Sequence, residues 1–164
     1  MSDPLASYLE DHAAGAAAAV ELLESMRDDH RGSELGDFAA GVLRDVESDR
    51  EILKTLLERC ASGAGKNLKE AVSWVGEKVS RLKLGRLTGG ELGTLESLET
   101  LALGILGKRA LWRTLAEIAP ADSRLRGTNF EELITRAETQ FERVEEKRLE
   151  AARTALSPSA KASS

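Results

Sequence analysis

The chain has 164 residues, which suffices for one domain with a substantial core but is short for two domains of ordinary size. Its 23 Lys and Arg residues against 28 Asp and Glu residues give a formal net charge of −5. A dedicated nucleic-acid-binding domain usually carries a basic excess, so we expect no nucleic-acid partner. Cys60 is the only cysteine, and the chain alone therefore cannot build a disulfide framework or a thiolate zinc site.

Neither the N-terminal stretch nor the most apolar stretch has the pattern of a membrane-inserted segment. The stretch "MSDPLASYLEDH" is acidic where a secretory signal needs basic residues, and the apolar run "LALGILGKRALW" is interrupted by Lys108 and Arg109. We therefore expect no export and no membrane span. Together with the single cysteine, these features predict a cytoplasmic protein.

Helical periodicity predicts two long helices in the first half of the chain. The first, over about 3–28, has Ser2 or Asp3 as its N-cap and Pro4 in its first turn. Its stripe recurs at steps of three and four residues, as in packed helices: Leu5, Leu9, His12, Ala16, Ala19, Leu23 and Met26. Ser33 can cap a second helix that ends near Gly63. The stripe of this second helix is Leu35, Phe38, Val42, Val46, Asp49, Leu53, Leu56 and Cys60.

The second half of the chain predicts one shorter helix and two further long ones. The shorter helix is the amphipathic stretch "NLKEAVSWVGEKVSRLK", and the third long helix, over 95–119, stops before Pro120. A capping box, formed by Thr128 with Glu131 or by Asn129 with Glu132, opens the fourth long helix. No strand pattern competes. We therefore predict an all-α fold, with residues 1–156 as a single domain and 157–164 as a disordered tail.

The order of these elements is two long helices, a long connection and two long helices. A connection of this length can carry the chain back along the bundle, so that the second and third helices run parallel. This layout resembles the ferritin-like four-helix bundle, with the amphipathic stretch as a long helical crossover between helices 2 and 3. The stretches "YLEDHAAGAAAAVELLE" and "LESLETLALGILGKRALW" also resemble those of small uncharacterised bacterial proteins of this fold.

The resemblance implies the fold without its usual iron chemistry. A di-iron site in such bundles uses Glu-x-x-His pairs, but Leu9 and Arg27 stand three residues before His12 and His30. We therefore predict no cofactor. The acidic residues of the last two helices are interpreted as solvated partners of Lys and Arg, although an all-carboxylate metal site stays open as an alternative: Glu96, Glu99, Glu138, Glu142 and Glu145.

Polar residues on the apolar stripes predict a buried polar layer. Counting residues in both directions from the turn of the first predicted hairpin places His12 at the same height as Asp49. The same count in the second hairpin places Arg109 beside Glu138, at a similar height in the bundle. Two acids and two bases at one level make burial tolerable, because buried charges need partners. The favoured interpretation is that this layer fixes helix register. There are two alternatives. The layer is a ligand or metal site, or it does not form because Arg109 or Glu138 turns outward.

Small residues form a second feature of the predicted core. The run "AAGAAAA" leaves the first helix thin, and Gly104 and Gly107 lie inside the third. Glycine costs about 1 kcal/mol against alanine inside a helix, which suggests a packing reason. We favour a close approach of helices one and three. The alternative is a narrow apolar cavity capped by Trp112 or Trp74.

Two further features have simpler interpretations. Cys60 lies on an apolar stripe with no histidine placed to activate it, so we interpret it as a small core residue and not as a nucleophile. A short basic cluster could meet an anionic partner, although a solvated crossover is the preferred interpretation: Lys78, Arg81, Lys83 and Arg86.

No catalytic motif is present, and the sequence predicts a non-catalytic structural, interaction or small-ligand-binding bundle. The third helix is apolar nearly all round, which predicts burial by the crossover or by a second copy in a homo-oligomer. A small apolar ligand is the other expected partner. The alternative function is a metal-binding stress protein or a metalloenzyme with a non-standard site in the bundle core: His12 and Asp49 with Glu99, or with Glu138 and Glu142.

Overall fold

The computed structural model describes residues 3–62 and 89–158. This part of the chain is all-helical, which confirms the predicted all-α class. Its long helices are α1 (Pro4–Asp29), α2 (Glu34–Ser62), α3 (Gly90–Ile118) and α4 (Phe130–Leu156), and a single 3-10 turn spans Ser123–Leu125. The predicted helix at 67–83, Trp74, the basic cluster and the tail from residue 159 onward lie outside the described residues.

Side-chain caps begin three of the four helices, as the sequence predicts. An Oδ atom of Asp3 accepts a hydrogen bond from the backbone N–H two residues later at 3.1 Å, and Pro4 begins α1. Ser33 Oγ accepts from the N–H three residues later at 3.2 Å, before α2. Of the two candidate caps for α4, the structure has Asn129, whose side chain accepts from the Glu132 N–H at 3.2 Å. Each cap satisfies a backbone donor that the helix leaves unpaired.

Helix α3 begins five residues earlier than the predicted start at residue 95. The predicted helix leaves out the glycine-rich stretch before residue 95, because glycine disfavours helix interiors. Gly93 is nevertheless buried inside the helix, and its carbonyl oxygen accepts a hydrogen bond from Ser97 Oγ at 2.8 Å. Gly90 begins the helix with a φ of 74°, which glycine adopts without strain. Burial against the core therefore outweighs the weak local propensity.

The helices form two antiparallel hairpins, α1 with α2 and α3 with α4. Ion pairs join α2 to α4, and these pairs run in opposite directions along the two helices: Glu34 with Lys147 at 2.7 Å, and Asp45 with Arg143 at 2.9 Å. Because α2 is antiparallel to α4, it runs parallel to α3. Helix α2 therefore ends at one end of the bundle, and α3 begins at the other.

The buried apolar side chains form two clusters, one in each half of the bundle. One cluster surrounds Trp112 and includes Leu9, Leu56 and Phe130. The other includes Leu23, Val42, Leu98 and Val144. Removing this apolar surface from water is the main favourable contribution to folding. Polar side chains separate the two clusters at the middle of the bundle, and the candidate site lies there. No helix of the described residues is long and apolar enough to span a membrane.

Candidate functional site

Asp49 is the centre of a buried polar cluster between the two apolar clusters. Its side chain on α2 is almost fully buried, with a residue exposure of 3%. Asp49 Oδ2 accepts hydrogen bonds from Lys108 Nζ on α3 at 2.5 Å and from Gln140 Nε2 on α4 at 3.3 Å. Asp49 Oδ1 accepts from Arg136 Nη2, and Lys108 Nζ also donates to Gln140 Oε1. The polar cluster, defined by Asp49, Lys108, Arg136 and Gln140, thus joins three helices.

The polar cluster contains one carboxylate and two cations. Burial lowers the pKa of the Lys108 ammonium, while the Asp49 carboxylate beside it opposes that shift. Arg136 extends toward the surface, where its side chain is 35% exposed. A buried carboxylate is tolerable when it is paired and hydrogen-bonded on both oxygens, as Asp49 is here. Its two cationic partners leave a local excess of positive charge.

The structure places Arg109 and Glu138 outside the polar cluster. Arg109 Nη1 and Glu138 Oε1 are 3.8 Å apart, so these residues pair across α3 and α4 at the height that the sequence predicts. Their side chains, however, are 36% and 50% exposed. The alternative in which they turn outward is therefore the one observed. The reason is helical phase: Lys108, not Arg109, stands three residues after Ile105 and four before Trp112, both of which are buried.

His12 lies near Asp49 without joining its hydrogen bonds, which come from Lys108, Arg136 and Gln140. The imidazole is partly buried and contacts the Tyr8 ring edge to face, with a centroid distance of 4.8 Å. Burial lowers the pKa of His12, and the neighbouring Asp11 carboxylate opposes this shift. His12 and Asp49 instead share a cavity, which lies between α1, α2 and α3.

Of the polar cluster, only Asp49 was among the residues predicted for the buried layer, and the other three residues were not. Two of these were visible in the pattern: Lys108 continues the stripe of Leu101 and Ile105, and Gln140 follows Ala137 by three residues. A polar residue in such a position is a signal for a buried partner. Arg136 lies beside the stripe and reaches inward from the edge, so spacing alone gave no signal for it.

The cavity has a volume of about 220 Å³. Its walls come from three helices and are mainly apolar, and each helix also contributes at least one polar side chain: Asp11, His12, Gly15, Ala16 and Ala19 of α1, Val46, Asp49, Arg50 and Leu53 of α2, and Leu101, Gly104, Ile105, Gly107, Lys108, Leu111 and Trp112 of α3. The alanine run of α1 and the two glycines of α3 therefore face the same space. Of the two tryptophans proposed as a cap, Trp112 lines the cavity.

The structure bears on both interpretations of the small residues. Helices α1 and α3 contact each other, as the favoured interpretation predicts. A Cβ atom added at Gly15, Gly104 or Gly107 would have no heavy atom within 4 Å. No close helix contact therefore requires these glycines. The absence of side chains at these positions leaves space between α1 and α3, which agrees with the alternative of a narrow apolar cavity.

Trp112, which lines the cavity, carries an unusual hydrogen-bond donor. The residue is only 1% exposed. Within residues 3–62 and 89–158, its indole Nε1 is the one buried side-chain nitrogen or oxygen atom with no hydrogen-bond partner. Buried donors are nearly always paired in folded proteins, so an unpaired one needs a specific explanation.

The remaining candidate residues are engaged elsewhere in the fold. Glu99 pairs with Arg148 at 3.3 Å, and in the described part of the chain no group of three or more His, Cys, Asp and Glu residues could hold a metal ion. Cys60 lies in the apolar cluster around Trp112. Burial raises the pKa of the Cys60 thiol, and the nearby Arg124 guanidinium opposes this shift.

No family model, curated protein or solved structure matches the chain. The geometry of the site therefore indicates its chemistry. The site is a mainly apolar cavity whose α3 wall includes Lys108 and Trp112, two residues with N–H groups in their side chains.

Proposed function

We propose that this protein is a non-catalytic helical bundle that binds a small apolar molecule in the cavity between α1, α2 and α3. The observation that carries the proposal is the cavity itself, whose volume is about 220 Å³. An apolar cavity of about 150 Å³ accommodates a benzene molecule in another protein. The space is therefore sufficient for a ligand somewhat larger than one aromatic ring.

The glycines at the cavity support a role for the space. A glycine inside a helix costs about 1 kcal/mol relative to alanine, and a Cβ atom would fit without contact at Gly15, Gly104 and Gly107. Alanine at these positions would stabilise the helices and reduce the cavity. The chain thus gives up stability where a ligand would need room, as functional sites commonly do.

We further propose that the bundle has the ferritin-like arrangement, with the amphipathic stretch at 67–83 as its crossover. The support is that α2 runs parallel to α3, as the ion pairs between α2 and α4 require. In a bundle of this kind, ligand sites are built in the core from side chains on facing helices. The cavity and the polar cluster likewise lie between facing helices and are formed by their side chains.

A neutral fluorescent dye tests the proposed binding site. N-phenylnaphthylamine, whose emission rises in apolar surroundings, is titrated into the native chain and into two variants of α3. Gly104→Leu places an apolar side chain in the cavity. Ala110→Leu places the same side chain at an exposed position that does not line the cavity. We expect saturable binding to the native chain and to Ala110→Leu, and at least about tenfold weaker binding to Gly104→Leu.

Equal dye binding by both variants, or none by the native chain, would contradict the proposal. Circular dichroism of each variant confirms that the helices are formed. Stoichiometric iron, manganese or zinc in protein purified without chelator would instead support the metal-binding alternative.

A further inference from the structure

The unpaired indole N–H of Trp112 indicates what kind of ligand fits the cavity. Leaving a buried donor without an acceptor lowers the stability of a folded protein. Trp112 lines the cavity, and its Nε1 has no acceptor among the described residues. A ligand atom that accepts a hydrogen bond there would remove this cost.

Lys108 supplies a second donor to the same cavity. An ammonium group has three N–H donors, and two acceptors, Asp49 and Gln140, are within hydrogen-bond distance of Lys108 Nζ. Trp112 follows Lys108 by four residues on α3. Residues at this spacing are neighbours on a helix surface, with Cβ atoms about 5–6 Å apart. Both side chains therefore leave α3 on the same face, beside the cavity.

The charges around the cavity favour an anionic head group. Both oxygens of Asp49 already accept hydrogen bonds within the polar cluster, which includes a second cation in Arg136. Asp11 and Arg50, the other charged residues that line the cavity, have opposite signs. The cluster therefore contributes positive charge with no unused carboxylate oxygen, and a buried anion is tolerable only beside such groups.

We propose that the ligand is an apolar carboxylic acid, whose carboxylate accepts hydrogen bonds from Lys108 Nζ and Trp112 Nε1 while its body lies along the small residues of α1 and α3. This inference rests on the proposed function, because it specifies the ligand of the same cavity. The wall of α3 extends seven residues from Lys108 to Leu101, which is about 10 Å at 1.5 Å per residue. A medium-length alkyl chain fits that distance.

Competition with the bound dye tests the head group. Octanoate, methyl octanoate and octylamine share one alkyl chain and differ in charge, and each is titrated against N-phenylnaphthylamine. We expect octanoate to bind at least tenfold more tightly than the ester, which corresponds to about 1.4 kcal/mol. Octylamine should bind most weakly, because its ammonium would lie against the Lys108 ammonium.

Two cavity variants and one control identify the donors. Lys108→Met should abolish the preference for octanoate over the ester, and Trp112→Phe should weaken octanoate binding severalfold, since each removes one donor but keeps much of the side chain's volume. Both variants should keep the dye affinity, because the neutral dye needs neither donor, and dye binding also reports an intact cavity. Lys54→Met removes a lysine from the surface of α2 and should change nothing.

The possible failures of the two proposals are distinct. If the dye binds but octanoate and its ester compete equally, or octylamine competes best, the carboxylate inference is wrong and the apolar site stands. If the acid preference survives in both Lys108→Met and Trp112→Phe, these residues do not hold the head group. If the dye does not bind, the proposed function fails together with this inference.

Discussion

Asp49 shows how one buried residue can organise the centre of a helical bundle. Its carboxylate accepts hydrogen bonds from α3 and α4, although it belongs to the other hairpin. These bonds are made where the two apolar clusters are interrupted. Asp49 therefore holds the two hairpins together at the level where few apolar contacts do so.

Replacing Asp49 with asparagine should be strongly destabilising. The substitution keeps the shape of the side chain but leaves Lys108 and Arg136 facing each other without a carboxylate between them. Breaking one partner of a buried ion pair typically costs about 3–5 kcal/mol. The free energy of unfolding, measured with urea and circular dichroism, should fall by an amount in this range.

Asp45 provides the matched control for that experiment, one turn earlier on α2. It also pairs with an arginine of α4, Arg143, at 2.9 Å, but both side chains are 40% or more exposed. Exposed pairs contribute about 0–1 kcal/mol. Asp45→Asn should therefore have a small effect. Similar losses for the two variants would mean that burial does not distinguish Asp49.

At the residue scale, the sequence permitted prediction of some polar core residues but not of their partners. Asp49 could be identified because it occupies a position of an apolar stripe. Arg109 was predicted and Lys108 was not, because counting residues from the turn of a hairpin resolves position along a helix axis and not rotation about it. One residue along a helix rotates a side chain by about 100°, which is the difference between the surface and the core here.

At the scale of the helices, capping residues made the starts of α1, α2 and α4 predictable. The start of α3 was not predictable in the same way, because its cap residue is Gly89, which makes no side-chain hydrogen bond. The burial of Gly93 there depends on contacts that distant parts of the chain provide. Tertiary packing commonly overrides local propensity in this manner.

Two glycines of the long helices should respond oppositely to alanine. At Gly104 an added Cβ meets no heavy atom within 4 Å, so Gly104→Ala should raise the free energy of unfolding by about 0.5–1 kcal/mol. At Gly36 the Cβ would lie 2.2 Å from the His30 carbonyl oxygen. Gly36→Ala should therefore lower stability by about 1–3 kcal/mol, as overpacking does. Thermal unfolding measures both, and a loss of stability in Gly104→Ala would show that α1 approaches α3 more closely than the structure indicates.

At the scale of the whole molecule, the helix order was predictable and the cavity was only an alternative. The same run of small residues is compatible with two helices in contact or with two helices apart, because spacing carries no information on interhelical distance. Leu103 of α3 has 69% of its surface exposed in the described part of the chain. That exposure is compatible with the predicted homo-oligomer, which stays a prediction.

The stability of the molecule should depend on pH through His12. Burial lowers the pKa of His12 in the folded state, whereas an unfolded histidine titrates near about 6.5. Above that pH both states are neutral at this residue, and it contributes no pH dependence. Below it the unfolded state binds more protons than the folded state, so the free energy of unfolding should fall as the pH is lowered.

His12→Leu should reduce this slope between about pH 6.5 and 5, while His30→Gln, which removes the other histidine, controls for a general effect of losing an imidazole. Urea unfolding across this pH range measures the slope, and an unchanged slope in His12→Leu would show that burial of His12 does not disfavour its charged form.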